Sequence, residues 1–96
     1  MSPKNKKKLD FIRIKLDKLD TQLLKLLKER SNLVNDVLKV KIYKKEIIDQ
    51  RRIKFILDKI KKKSIQMNID PKITNRIWKN MIWSFIDYEK RNFKKK

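Results

Sequence analysis

Apolar residues in the first forty positions of the chain recur at alternating steps of three and four residues. This spacing places them on one side of a helix and is typical of a seam that packs along a second helix. Ten positions follow the pattern: Leu9, Ile12, Leu16, Leu19, Leu23, Leu26, Arg30, Leu33, Val37 and Val40. Nine of them are Leu, Ile or Val, and the exception is Arg30. An unpaired guanidinium buried in such a seam is strongly destabilising, so Arg30 needs a partner.

The pattern predicts three helices and no strand, which is an all-α fold in one domain of residues 1–96. The first helix is predicted from about residue 8 to about residue 42, and the periodicity then breaks in a loop. Asp49 is the predicted cap of a second helix over 49–66, and Asp70-Pro71 predicts the start of a third over 71–93. The basic tails 1–7 and 94–96 are expected to fray. The predicted apolar faces are Ile53, Ile56, Leu57 and Ile60 in the second helix, and Ile73, Ile77, Trp78, Met81, Ile82, Phe85 and Ile86, continued by Glu89 and Phe93, in the third.

The length of the first helix predicts a dimer. About 34 residues rise roughly 50 Å, whereas a compact domain of this size has a diameter of only a little over 30 Å. The helix would therefore protrude from its own domain, and an intertwined homodimer would cover its seam. A broken first helix in a monomeric bundle is the alternative.

Composition narrows the possible functions. The formal charge is +18, but 23 of the 29 basic residues are Lys, and they are spread over all three predicted helices and both tails. A basic module that binds nucleic acid or an acidic partner is thus an alternative rather than the first interpretation, because no basic stripe stands out. The chain has no Cys and no His, which excludes thiol and Ser-His nucleophiles and His-metal sites. No apolar run reaches membrane-spanning length and the start lacks a signal-peptide pattern, so a cytoplasmic protein without membrane contact is expected.

The cations on the first helix predict an anion pocket. Lys41 follows Arg30 by eleven residues, which puts both on one face with their Cα atoms about 16 Å apart. Arg13 lies too far along the same helix to join them, but in an antiparallel dimer it can come from the other subunit. Arg52 and Glu89 would close the sides of a small pocket that suits a compact ligand with two carboxylates. No nucleophile, metal set or cofactor loop is evident, so we expect no cofactor and no metal, and catalysis by conformational restraint and electrostatics.

The segments "IRIKLDKLDTQLLKLLKERSNLVNDVLKVK", "IIDQRRIKFIL" and "IWKNMIWSFIDYE" resemble the all-α chorismate mutase family, whose members are intertwined dimers of three-helix chains. The resemblance covers about residues 9–93. It implies rearrangement of chorismate to prephenate, the branch step toward phenylalanine and tyrosine. It also implies that the substrate carboxylates are bound by Arg30 in the chain and Arg13 from the other subunit. Lys41 would bind a carboxylate and the ether oxygen, with Asp49 near the substrate hydroxyl and Arg52 beside it.

Three positions depart from the family pattern. Ile53 stands where many members have Glu, Phe85 where many have Ser, and Glu89 where the bacterial prototype has Gln. An apolar residue at the position of Ile53 also occurs in the related isochorismate-pyruvate lyases, which are the alternative enzyme class. To donate to the ether oxygen Glu89 must be protonated, so the hypothesis is higher activity at mildly acid pH. The structural alternatives are an Arg30 that only sets the register of the seam, ion pairs of Arg13 with Asp17 and of Arg52 with Asp49, a purely capping Asp49, and a half-exposed Glu89.

Overall fold

The computed structural model describes residues 1–94 of the chain, and these residues are almost entirely helical. Three α-helices follow one another: α1 (Pro3–Val40), α2 (Gln50–Gln66) and α3 (Pro71–Asn92), with a short 3₁₀ helix (Lys44–Glu46) between the first two. No strand occurs in this part of the chain. The predicted all-α class, with three helices of which the first is very long, is confirmed. No helix within residues 1–94 is both long and apolar enough to cross a membrane.

The ends of α1 differ from the prediction. The helix begins at Pro3 rather than near residue 8, because Ser2 caps it: the Ser2 Oγ accepts the Asn5 N–H at 3.2 Å. The helix therefore includes residues 3–7, which were predicted to belong to a basic tail. At the other end α1 stops at Val40, two residues early. Of the C-terminal tail, positions 95 and 96 lie outside the described residues.

The segment between α1 and α2, predicted as a loop, contains the 3₁₀ helix Lys44–Glu46. The Glu46 carboxylate closes this turn by accepting the Tyr43 N–H at 3.1 Å. The sequence alone gives little sign of it, since 3₁₀ turns are short and lack an apolar period.

Both predicted helix caps are confirmed. Asp49 accepts the backbone N–H of Arg52 at 3.0 Å and starts α2. Asp70 accepts the N–H of Lys72 at 2.9 Å and starts α3, whose first residue is Pro71. Each carboxylate satisfies a backbone donor that has no partner within the helix, which stabilises a helix start by about 1 kcal/mol.

The chain divides into two units, Met1–Leu33 and the part that begins at Val34. The first unit consists of the N-terminal part of α1, and no residue of α1 is buried. The second unit has a small core of Ile47, Ile82 and Ile86, on which Ile48, Ile53, Ile56, Leu57, Trp78 and Phe93 pack. Ile53, Ile56 and Leu57 of the predicted α2 stripe thus face this core, whereas Ile60 is not among the residues packed on it. On α3, however, Ile73 and Ile77 remain 55% and 52% exposed, because the first turn of α3 packs on α2 through the buried Thr74 instead.

Two polar contacts hold the helices of the second unit in register. The buried hydroxyls of Ser64 on α2 and Thr74 on α3 lie 2.7 Å apart. The Tyr88 hydroxyl on α3 donates to Asn35 Oδ1, near the end of α1, at 2.7 Å. The second contact fixes the C-terminal part of α1 against α3, and so sets which side chains meet there.

Candidate active site

Lys41 and Glu89 form an ion pair in the interior of the second unit. Lys41 is the first residue after α1, where its N–H still bonds to the Val37 carbonyl at 3.1 Å. Its Nζ lies 3.2 Å from Glu89 Oε1 on α3. The side chains are only 19% and 8% exposed. Glu89 is therefore buried rather than half-exposed, and the structure puts it on the inward line of the third helix, as predicted.

An ion pair in this position is not explained by stability alone. Removing two charges from water costs free energy that offsets most of their mutual attraction. A buried ion pair therefore adds little net stability to a small core. An ammonium carries three donors, and Glu89 fixes the direction of one of them. The pair is thus suited to hold a cation in a defined orientation toward a bound anion.

Next to this pair is an open cavity of about 410 Å³, lined by Lys41, Glu46, Ile48, Asp49, Gln50 and Arg51. The volume lies in the range of small-molecule sites. Its two carboxylates each accept a backbone N–H, Glu46 from Tyr43 and Asp49 from Arg52. These hydrogen bonds hold both acids against the backbone of their own segment. We refer to this space as the Lys41 cavity.

The structure brings some of the predicted site residues together. Lys41 contacts Glu89 directly and shares the Lys41 cavity with Asp49. Phe85 is half-buried on α3, one helical turn before Glu89. Arg13 is exposed and Arg30 half-buried on α1, and both belong to the first unit.

Two predicted residues of α2 are placed differently. The guanidinium carbon of Arg52 lies 5.4 Å from the centre of the Phe55 ring, and Arg52 does not line the Lys41 cavity. Ile53 packs on the hydrophobic core. Among the described residues, Arg52 makes no ion pair with Asp49, nor does Arg13 with Asp17, so neither structural alternative for these arginines is realised.

Sequence reasoning missed Arg51, which lines the Lys41 cavity. Successive residues on a helix point about 100° apart, so Arg51 and Arg52 cannot face the same way. Only the folded position of α2 decides which of the two lies beside Lys41.

Comparisons with known proteins identify the family of the chain. The model of the family described as chorismate mutase type II matches residues 12–90. A chorismate mutase from Methanocaldococcus jannaschii is 38% identical over 76 residues, which cover 78% of this chain and 77% of that relative. No solved structure gives a significant match. With three helices, a long first helix and a matched segment that includes every predicted site residue, the chain belongs to the chorismate mutase type II family.

Proposed function

We propose that the protein is a chorismate mutase that converts chorismate to prephenate. The observation that carries the proposal is the buried Lys41–Glu89 pair beside the Lys41 cavity, in a chain of this family. The substrate has two carboxylates, and the chain offers Lys and Arg side chains for them.

The reaction is a cyclic shift of electron pairs within one molecule. A C–O bond breaks while a C–C bond forms, and no atom leaves, so no nucleophile or proton carrier is required. Negative charge grows on the ether oxygen as the C–O bond breaks. Lys41 donates to this oxygen and to a carboxylate, held in direction by Glu89, while Arg30 binds the other carboxylate. Preorganised donors of this kind lower the barrier because they need no reorientation during the reaction.

In this mechanism Glu89 has two tasks that depend on its proton. As a carboxylate it accepts from Lys41, as the 3.2 Å contact allows. When protonated, its hydroxyl can donate to the ether oxygen while its other oxygen still accepts from Lys41.

The working enzyme is a homodimer paired through α1. The seam side chains are left open to solvent: Leu19 is 53%, Leu23 56% and Leu26 59% exposed. A row of half-exposed leucines this long is rare on a protein that stays monomeric. A second copy of the chain carries the same row of leucines. The two rows can therefore cover each other in a dimer without another protein.

In such a dimer each site is completed by the partner subunit's Arg13, while Arg30 and Lys41 come from one chain. This division can be tested by mixing Arg13→Ala and Arg30→Ala proteins after unfolding and refolding together. Random pairing makes half of the dimers mixed, and each mixed dimer has one site with both arginines intact. About a quarter of the parent activity should return. If Arg13 serves its own chain instead, neither site is intact and no activity returns.

Arg30→Ala alone tests the role of the seam arginine. The variant should lose chorismate turnover while remaining a helical dimer, as followed by circular dichroism and light scattering. A variant that loses the dimer as well would assign Arg30 to assembly rather than to the substrate. Unchanged turnover would contradict the proposed site.

A further inference from the structure

The strongest unassigned feature of the molecule is Arg51, an arginine at the edge of the Lys41 cavity. The inference drawn from it rests on the proposed function and extends it to a further substrate-binding residue.

The charged side chains around the Lys41 cavity differ in whether they already have a hydrogen-bonding or ion-pairing partner. Glu46 and Asp49 hold backbone N–H groups at 3.1 Å and 3.0 Å, and Lys41 holds Glu89 at 3.2 Å. Arg51 is exposed and has no hydrogen bond or ion pair to another side chain within residues 1–94. The guanidinium donors of Arg51 are thus available to a ligand.

The neighbouring arginine does not compete for this place. Arg52 lies with its guanidinium 5.4 Å from the Phe55 ring centre, a distance at which a cation is attracted to the face of the ring. Phe55 also has the Lys59 ammonium within 5.9 Å of its ring centre. Arg52 is therefore drawn along the exposed side of α2, away from the cavity that Arg51 lines.

We propose that Arg51 binds a carboxylate of the substrate at the mouth of the Lys41 cavity. Lys41 and Arg51, which both line this cavity of about 410 Å³, then contact the same small ring dicarboxylate. The planar guanidinium suits this task, because it can form two parallel hydrogen bonds to one carboxylate. Since Arg51 is exposed, it acts on binding and capture of the substrate, whereas Lys41 acts on the breaking C–O bond.

The test compares steady-state kinetics of Arg51→Ala, Arg51→Lys and Arg76→Ala with the parent. Arg76 is an exposed arginine of α3, so its removal changes the net charge equally and serves as the matched control. We expect Arg51→Ala to raise KM about tenfold with kcat nearly unchanged. Arg51→Lys should recover part of the loss, and Arg76→Ala should stay within about twofold of the parent. Equal KM values for Arg51→Ala and Arg76→Ala would overturn the proposal.

A binding measurement separates this proposal from the proposed function. Isothermal titration with isophthalate, an unreactive ring dicarboxylate, reports on the cavity whether or not chorismate is converted. If the parent forms no prephenate, the proposed function fails, and the titration still decides on Arg51. Binding about tenfold weaker in Arg51→Ala than in Arg76→Ala supports the assignment. Equal affinities, or no binding to the parent protein, overturn it.

Discussion

Replacing Lys41 by Met should destabilise the protein far more than the loss of any exposed lysine. The substitution keeps the length of the side chain and its apolar contacts but removes the ammonium. Glu89, whose side chain is only 8% exposed, then keeps a buried carboxylate without the ammonium that lies 3.2 Å away in the parent. Leaving one charge of a buried pair alone costs about 3–5 kcal/mol.

The expected magnitude is at the lower end of that range. Lys41 is 19% exposed, so water reaches the pair and reduces the penalty. We expect a loss of about 3 kcal/mol in the free energy of unfolding. In a chain of this size, 1 kcal/mol shifts Tm by about 4–8 °C. A loss of about 3 kcal/mol should therefore lower Tm by about 12 °C or more. Lys44→Met, at an exposed lysine of the 3₁₀ helix, is the matched control and should change the free energy by less than about 0.5 kcal/mol.

The assay is thermal unfolding by circular dichroism at one fixed protein concentration, because the proposed dimer would make Tm depend on concentration. A second variant, Lys41→Met with Glu89→Leu, removes both charges and should recover most of the lost stability. If Lys41→Met melts together with Lys44→Met, the ion pair has no part in the folded state. If the double variant is as unstable as Lys41→Met, the unpaired carboxylate is not the cause.

Three further outcomes are expected. Leu23→Glu places a charge in the α1 seam of both copies and should give monomers in light scattering. Thr21→Glu lies outside the seam and should leave dimers, and dimers in both variants would refute pairing through α1. Glu89→Gln can donate at every pH and should show a flatter profile of kcat/KM against pH than the parent; an unchanged profile would refute a working protonated Glu89. Asp49→Ala removes the α2 cap and should lower the free energy of unfolding in urea by about 1 kcal/mol, and a change below about 0.3 kcal/mol would contradict the capping bond.

Local signals of the sequence were enough to predict where α2 and α3 begin. Asp49 and Asp70-Pro71 are starts that act through the nearest backbone N–H groups, and both stand in the structure as predicted. Ser2 carries the same kind of signal, yet the run of lysines after it suggested a frayed end. One capping hydroxyl and the absence of a helix breaker were sufficient to begin α1 at Pro3.

The site could be predicted from the sequence where a residue's place depends only on which face of its helix points into the core. Glu89 continues the apolar face of α3, and it is buried against Lys41 as this position requires. Arg51 and Arg52 show the limit, because adjacent residues on a helix face different directions and the choice depends on how α2 packs. Arg52 and Phe55 are also close together in the sequence. The long Arg52 side chain can adopt several other conformations, however, so the sequence does not predict this contact.

The measurement that tests the account most directly is the identity of the product. The purified protein would be incubated with chorismate and, separately, with isochorismate, and the products identified by chromatography. The account predicts prephenate from chorismate, with loss of this product in Arg30→Ala. Pyruvate and salicylate from isochorismate alone would contradict it and make the protein a lyase, with Ile53 as the residue to explain. Turnover of neither substrate would contradict an enzyme that acts on these compounds.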